Sequence, residues 1–267
     1  YIETSVNSLT ASITGSSATG DIAIDNNTDI TINGLTNAGS GNIDVYAMGS
    51  MTVEGDVTTQ GGYISLYADD GLTVDADITS NNGYIYLDSD YDWNGIGAFV
   101  QGEDSTIDAG TNTVDLYLSG ASTLNDIRGN DVFIYFDADA SIADNGSTSV
   151  TSTNFEINGW GRNLLTDGIN LNTAVSYLEI GNFNNSSGDI IISNTGDLTL
   201  TDWNGEGWGY AVYNPTGAVT ISTSSPLTVA AAVNAFGDIT LTAGGTGDDD
   251  LTINVTTPGS GIQSLTG

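Results

Sequence analysis

Residues 244–252 read GGTGDDDLT, one nonapeptide of the calcium-binding β-roll pattern G-G-x-G-x-D-x-U-x. Asp248, Asp249 and Asp250 are therefore candidate oxygen ligands for Ca²⁺, which takes carboxylates and carbonyls in a loose shell. A β-roll holds each ion between consecutive copies of the nonapeptide, and the chain has one copy. The stretch also fits a widened turn joining strands at 238–242 and 251–254. Further acidic candidates are Asp69 and Asp70 with Asp88 and Asp90, and Asp137 with Asp139; each has the alternative reading of a solvated acidic surface that keeps strands apart.

Aromatic residues form the second group. Period-two alternation turns Tyr46, Tyr63, Tyr67, Tyr84, Tyr86, Tyr117 and Tyr135 outward, with Phe133 beside them. A rigid ring with a polar tip suits a protein interface or a sugar, and stacked rings also stabilise in-register strands. Trp203 and Trp208 lie in DWNGEGWG, and DWNG occurs earlier around Trp93. Trp203 and Trp208 are candidates for stacking on a sugar ring. Trp93 stands 21 residues after Leu72 and is expected in the core.

Catalytic constellations are sparse. There is no His, no Cys and no Lys, so Ser–His pairs, thiolates, histidine metal motifs and P-loops are excluded. Only Arg128 and Arg162 could act as a cationic base. A carboxylate pair could hydrolyse a glycoside, but with 34 acidic residues any chosen pair is uninformative. A net charge of −32 argues against nucleic acid, which needs basic groups to neutralise phosphates. Nothing resembles a membrane-inserting segment. Cations and basic partners are the natural counterparts.

The elements behind these residues are set by a repeat. Gly20, Gly41, Gly62 and Gly83 recur every 21 residues, each followed by Ile22, Ile43, Ile64 or Ile85 and then by Ile24, Val45, Leu66 or Leu87. GDIAIDNNTDITI, GNIDVYAMGSMTV and GYISLYADDGLTV are one template of two short strands, and it returns at Gly188, Gly217 and Gly237. Strands of this length cannot bury a face alone, whereas stacked coils share one core. The expected fold is all-β: a right-handed parallel β-helix of about 20–21 residues per coil, roughly a dozen coils long. It forms one continuous solenoid over 1–267. TSVNSLT from Thr4 resembles TAVSYLE from Thr173, which suggests an internal duplication into 1–168 and 169–267. Asn-x-Ser/Thr sequons stand at Asn26, Asn145, Asn184, Asn185 and Asn254.

The G-D-I-T-L and G-D-L-T-L phrases, the T-x-V-x-x-L lead-in, the absence of Cys and the Thr/Asn/Gly/Asp bias resemble the β-helical repeats of filamentous-haemagglutinin-type adhesins and giant repetitive bacterial surface proteins. That resemblance implies an extracellular or cell-surface location and a non-enzymatic structural or adhesive role, in a surface adhesin or an extracellular filament. It supplies no catalytic residues. The partners expected are copies of the chain or further repeats joined end to end, and a surface glycan or protein ligand. No cofactor is expected beyond candidate Ca²⁺. A carbohydrate-binding module is the alternative, followed by a β-helical polysaccharide-degrading enzyme.

Overall fold

A computed structural model describes residues 1–185, 187–203, 209–245, 250–255 and 261–264. Among them there is no helix. Parallel strands stack as a β-solenoid of about 11 turns, close to the dozen expected. The repeat works as a register ruler: Ile22, Ile43, Ile64, Ile85, Val114 and Val132 occupy successive rungs, as do Ile24, Val45, Leu66, Leu87, Leu116 and Ile134. All except Ile22 and Ile24 are fully buried, and those two nearly so. The second part of the chain builds the same ladder from Ile169, Ile190, Val219 and Ile239.

Each coil holds three short strands rather than the two expected. One coil runs through Ile64–Ala68, Leu72–Val74 and Ile78–Thr79. The third strand carries a single inward apolar residue, so alternation alone does not mark it. Leu35, Val57, Ile78, Ile107 and Ile127 nevertheless align as a third buried ladder.

The periodic glycines sit at a corner where adjacent coils touch backbone to backbone. A β-carbon on Gly41, Gly62 or Gly83 would collide with the carbonyl oxygen of the glycine one coil before it. Buried polar residues close the same corner: Asn37 Nδ2 donates to the Gly20 carbonyl (2.9 Å), Thr59 Oγ1 to Gly62 (2.6 Å) and Ser80 Oγ to Gly83 (2.5 Å). Backbone carbonyls that leave the ladder at the turn thus keep partners.

The two similar lead-ins make the same contacts. Asn26 Oδ1 accepts from Val6 N (2.9 Å) and Thr4 Oγ1 (2.8 Å), and its Nδ2 donates to the Val6 carbonyl (3.1 Å). Asn194 does this with Val175 N (2.9 Å), Thr173 Oγ1 (2.9 Å) and the Val175 carbonyl (3.2 Å). Asn26 is fully buried, so the first sequon offers no glycosylation site, whereas Asn145, Asn184, Asn185 and Asn254 are exposed.

Trp93 is not in the core. It is 55% exposed, and Phe99 takes the rung above Leu72. An insertion between Asp88 and Ala98 lengthens this coil and leaves at a corner as a loop, which carries Trp93 out of the 21-residue register.

Candidate functional site

The first strand of each coil presents two outward ladders. Asp25, Tyr46, Tyr67, Asp88, Tyr117 and Tyr135 follow one another along the solenoid; beside them run Asp44, Ser65, Tyr86, Asp115 and Phe133. Ring contacts run along a ladder, as between Tyr117 and Tyr135, and diagonally between the two ladders, as between Tyr86 and Tyr117. Tyr86 lies 4.9 Å from Tyr117, and Tyr117 lies 4.8 Å from Tyr135, in near-stacked pairs. Phe133 continues the row to Trp203 at 5.7 Å.

This face is acidic as well as aromatic. Tyr46 donates its hydroxyl to Asp69 (2.8 Å), Tyr86 to Asp88 (3.2 Å), Tyr1 to Asp44 (2.6 Å) and Tyr84 to Asp115. Burial is the main cause that raises the Tyr46, Tyr84 and Tyr86 hydroxyls above their ordinary range; next comes the carboxylate bond at Tyr46 and Tyr84, and the Asp88 charge at Tyr86. Tyr46, Tyr67, Tyr84, Tyr86, Tyr117 and Tyr135 are half-buried, and Tyr63 is exposed.

Two turns cover the middle of the face. The first is the insertion after Asp88. Its anchor is the buried Asp90, whose carboxylate accepts from the backbone N–H of Asn94 (3.1 Å) and Gly95 (2.9 Å). Tyr91 leans on Tyr46 (5.4 Å) and Tyr67 (4.9 Å). The second turn carries Trp160, held by Asn158 Oδ1 accepting from Trp160 N (3.0 Å). Trp160 contacts Tyr117 (5.5 Å), Tyr135 (5.1 Å) and Trp93 (6.3 Å). Trp93 and Trp160 both adopt left-handed backbone, with φ of 61° and 44°. Bulky residues rarely hold that conformation, which costs roughly 1–2 kcal/mol per residue. Trp93, but not Trp160, borders an open depression of about 330 Å³, with Asn94, Asp137, Asp139 and Arg162 on its other walls.

Beneath this cover lies a carboxyl pair. Asp88 and Asp137 are each 1% exposed. Neither Asp137 oxygen receives a donor from elsewhere in the described structure, and its neighbour is the Asp88 carboxyl. Burial first, then the Asp88 charge, pushes Asp137 up to about 9. Burial pushes Asp88 up to about 6, against the opposing bonds from the Asp90 backbone, Asp137 and Tyr86. One proton shared between the two carboxyls satisfies both.

The acidic groups singled out by proximity in sequence are thus separated in space. Asp69 serves Tyr46, Asp90 holds its own loop, Asp88 meets Asp137, and Asp139 accepts from both N–H groups of Asn163 (3.0 and 2.9 Å). Among the described residues no three His, Cys, Asp or Glu side chains converge to hold a metal ion. Of the β-roll-like stretch, Asp250 is exposed and its carbonyl accepts from Leu227 N (3.1 Å); Asp248 and Asp249 lie outside the described residues, as does Trp208. Trp203 is half-buried over Phe133. The Gly159–Gly161 stretch around Trp160 breaks the period in the sequence and reads as a loop, which it is; Tyr91 and the pairing of Asp88 with Asp137 escaped sequence reasoning. The signal for Tyr91 is that residues 89–97 break the repeat with two aromatics and two acids.

No protein-family model, curated protein or solved structure matches the chain.

Proposed function

We propose that the chain is a non-enzymatic structural and adhesive β-solenoid displayed outside the cell, as a segment of a surface adhesin or a subunit of an extracellular filament. The observation that carries this reading is the state of the two terminal coils. Among the described residues strand β1 (Ile2–Thr4) pairs on one side only, with Ile22–Asn26, and the strand Ile262–Ser264 only with Ala232–Ala235. Ile2 is 62% exposed while its rung partner Ile24 is 4% exposed; at the other end Ile253 is 52% exposed against 0% for Val229. Unpaired strand edges with apolar rungs are surfaces that another coil satisfies. Further repeats of the same chain or a second copy would both supply that coil. The test is light scattering and negative-stain imaging of the 267-residue chain with and without Thr252→Pro in the last coil. End-to-end rods that shorten with the proline support the reading; monomers at every concentration, with or without the substitution, overturn it.

A second reading, a carbohydrate-binding module, is favoured by one specific observation. Trp93 and Trp160 are both exposed, both in left-handed turns and in ring contact. A glycan array read with Trp93→Ala and Trp203→Ala separates this role from a pure scaffold: binding lost in the first variant and kept in the second places the sugar at the Trp93 loop.

A further inference from the structure

We propose that the pocket enclosed by Tyr46, Tyr67 and Tyr91 on the outward face binds an organic cation, an alkylammonium or guanidinium group. The pocket has a volume of about 280 Å³, and its walls are those three rings together with Tyr1, Asp25 and Asp44. Its geometry is a corner rather than a flat platform. The Tyr91 ring stands at 61° to Tyr46 and 59° to Tyr67, with centroids 5.4 and 4.9 Å away. The three rings all line the pocket, so an occupant meets aromatic surface, which attracts a cation with an apolar skin.

The polar groups on the walls also select for a donor-rich, positive ligand. Tyr46 already donates its hydroxyl to Asp69, and Tyr1 donates to Asp44. The Asp25 carboxylate accepts no hydrogen bond from any described residue, although it lies directly opposite Tyr46 in the strand register. Carboxylates only accept. A sugar hydroxyl needs both donors and acceptors and would use these walls poorly. A small hydrated metal ion needs a shell of oxygens, which ring faces do not supply. An ammonium or guanidinium group meets both features, ring faces on its apolar skin and Asp25 on its charge. Neither basic side chain of the protein lines this pocket: Arg128 is paired with Asp126, and Arg162 borders the depression beside Trp93. The excess of 34 acidic over two basic residues draws cations toward the surface in general, and the aromatic corner is what makes one place specific.

The source of the cation can be a free methylated amine or a basic side chain of a partner protein. The test is a titration of the full chain in about 0.15 M NaCl, which screens diffuse surface attraction. Tyrosine ring resonances report binding of tetramethylammonium, of N-acetyl-arginine amide, and of 3,3-dimethylbutan-1-ol as an apolar control of similar shape without charge. The expected result is saturable binding of at least one cation, weakened about 5- to 10-fold by Asp25→Asn and by Tyr91→Ala, with both variants still folded and melting cooperatively above the assay temperature. Stronger binding of tetramethylammonium assigns a free amine, and stronger binding of the arginine derivative assigns a protein side chain. Equal binding of the uncharged alcohol, cation binding that survives both substitutions, or no saturable binding of either cation overturns the proposal. None of these outcomes depends on whether the solenoid assembles end to end.

Discussion

The Asp137 carboxyl lies against the Asp88 carboxyl, two coils away on the outer face; both are buried, and Asp137 lies at the floor of the depression beside Trp93. Two buried acids in contact cannot both ionise without a cost, and this makes the stability of the solenoid a function of pH. Asp88, Asp115 and Asp137 all have folded-state values above the ordinary 3.8, at about 6, about 6 and about 9. The folded state therefore holds more protons than the unfolded chain. The stability this supplies is complete below about pH 4 and falls as pH rises, through about 6 for Asp88 and Asp115 and about 9 for Asp137. Thermal melts from pH 4 to 10 are expected to show a declining midpoint. Asp137→Asn keeps a hydrogen bond to Asp88 without the second charge. It is expected to flatten the alkaline part of the decline and to stabilise the protein at pH 8 by about 1–3 kcal/mol. A midpoint that rises between pH 6 and 9 in the unsubstituted protein contradicts this account.

The glycine corner predicts a second outcome. Gly62→Ala places a methyl group against the Gly41 carbonyl, and the backbone on both sides is fixed in the ladder. The coils must part locally, at a cost of about 1–3 kcal/mol. At Gly196 nothing lies near an added β-carbon, but φ is 94°. Gly196→Ala therefore tests backbone strain alone, and the pair of variants, compared by urea unfolding, separates inter-coil contact from conformational freedom.

Most of the core was legible because it obeys one spacing. Residue type at Ile43, Ile64 and Ile85 is decided by the coil below and the coil above, so periodicity and burial carry the same information. The spacing misled where the chain departs from it. Trp93 keeps the count from Leu72, yet the count runs into the insertion, and AFVQ at 98–101 resumes the alternation with Phe99 inward. The site was less legible for a related reason. Outward positions owe their environment to whatever loop covers them, and nothing in Asp137 itself reveals that the Trp93 loop lies above it.

The matched clasps of Asn26 and Asn194 predict matched costs. Each side chain uses both its acceptor and its donor on the backbone of a valine one coil earlier. Asn194→Ala leaves the Val175 N–H and carbonyl without that partner in a buried place, and about 1–3 kcal/mol is expected to be lost. Asn194→Asp keeps the acceptor, removes the donor and adds a charge, so it is expected to be no better than alanine at neutral pH. Chemical denaturation of both variants checks the order.

Trp93→Gly is expected to leave stability within about 1 kcal/mol of the parent. Release of the left-handed backbone gains roughly 1–2 kcal/mol, and loss of the ring contact with Trp160 costs roughly 0.5–1.5 kcal/mol. A melting temperature that drops by more than about 5 °C would mean that Trp93 holds the fold together and is not simply displayed by it.

The insertion between Asp88 and Ala98 has a consequence for how such a chain can change over time. The rungs on either side of it remain in step, Ile85 over Val114 and Leu87 over Leu116, although the coil between them is eight residues longer than the 21-residue repeat. Extra sequence at a corner is absorbed sideways and adds nothing to the height of the stack. Reach and decoration are therefore inherited separately: whole coils set how far the rod extends, and corner loops can acquire a tryptophan, a tyrosine or a buried acid without disturbing the rungs beneath them.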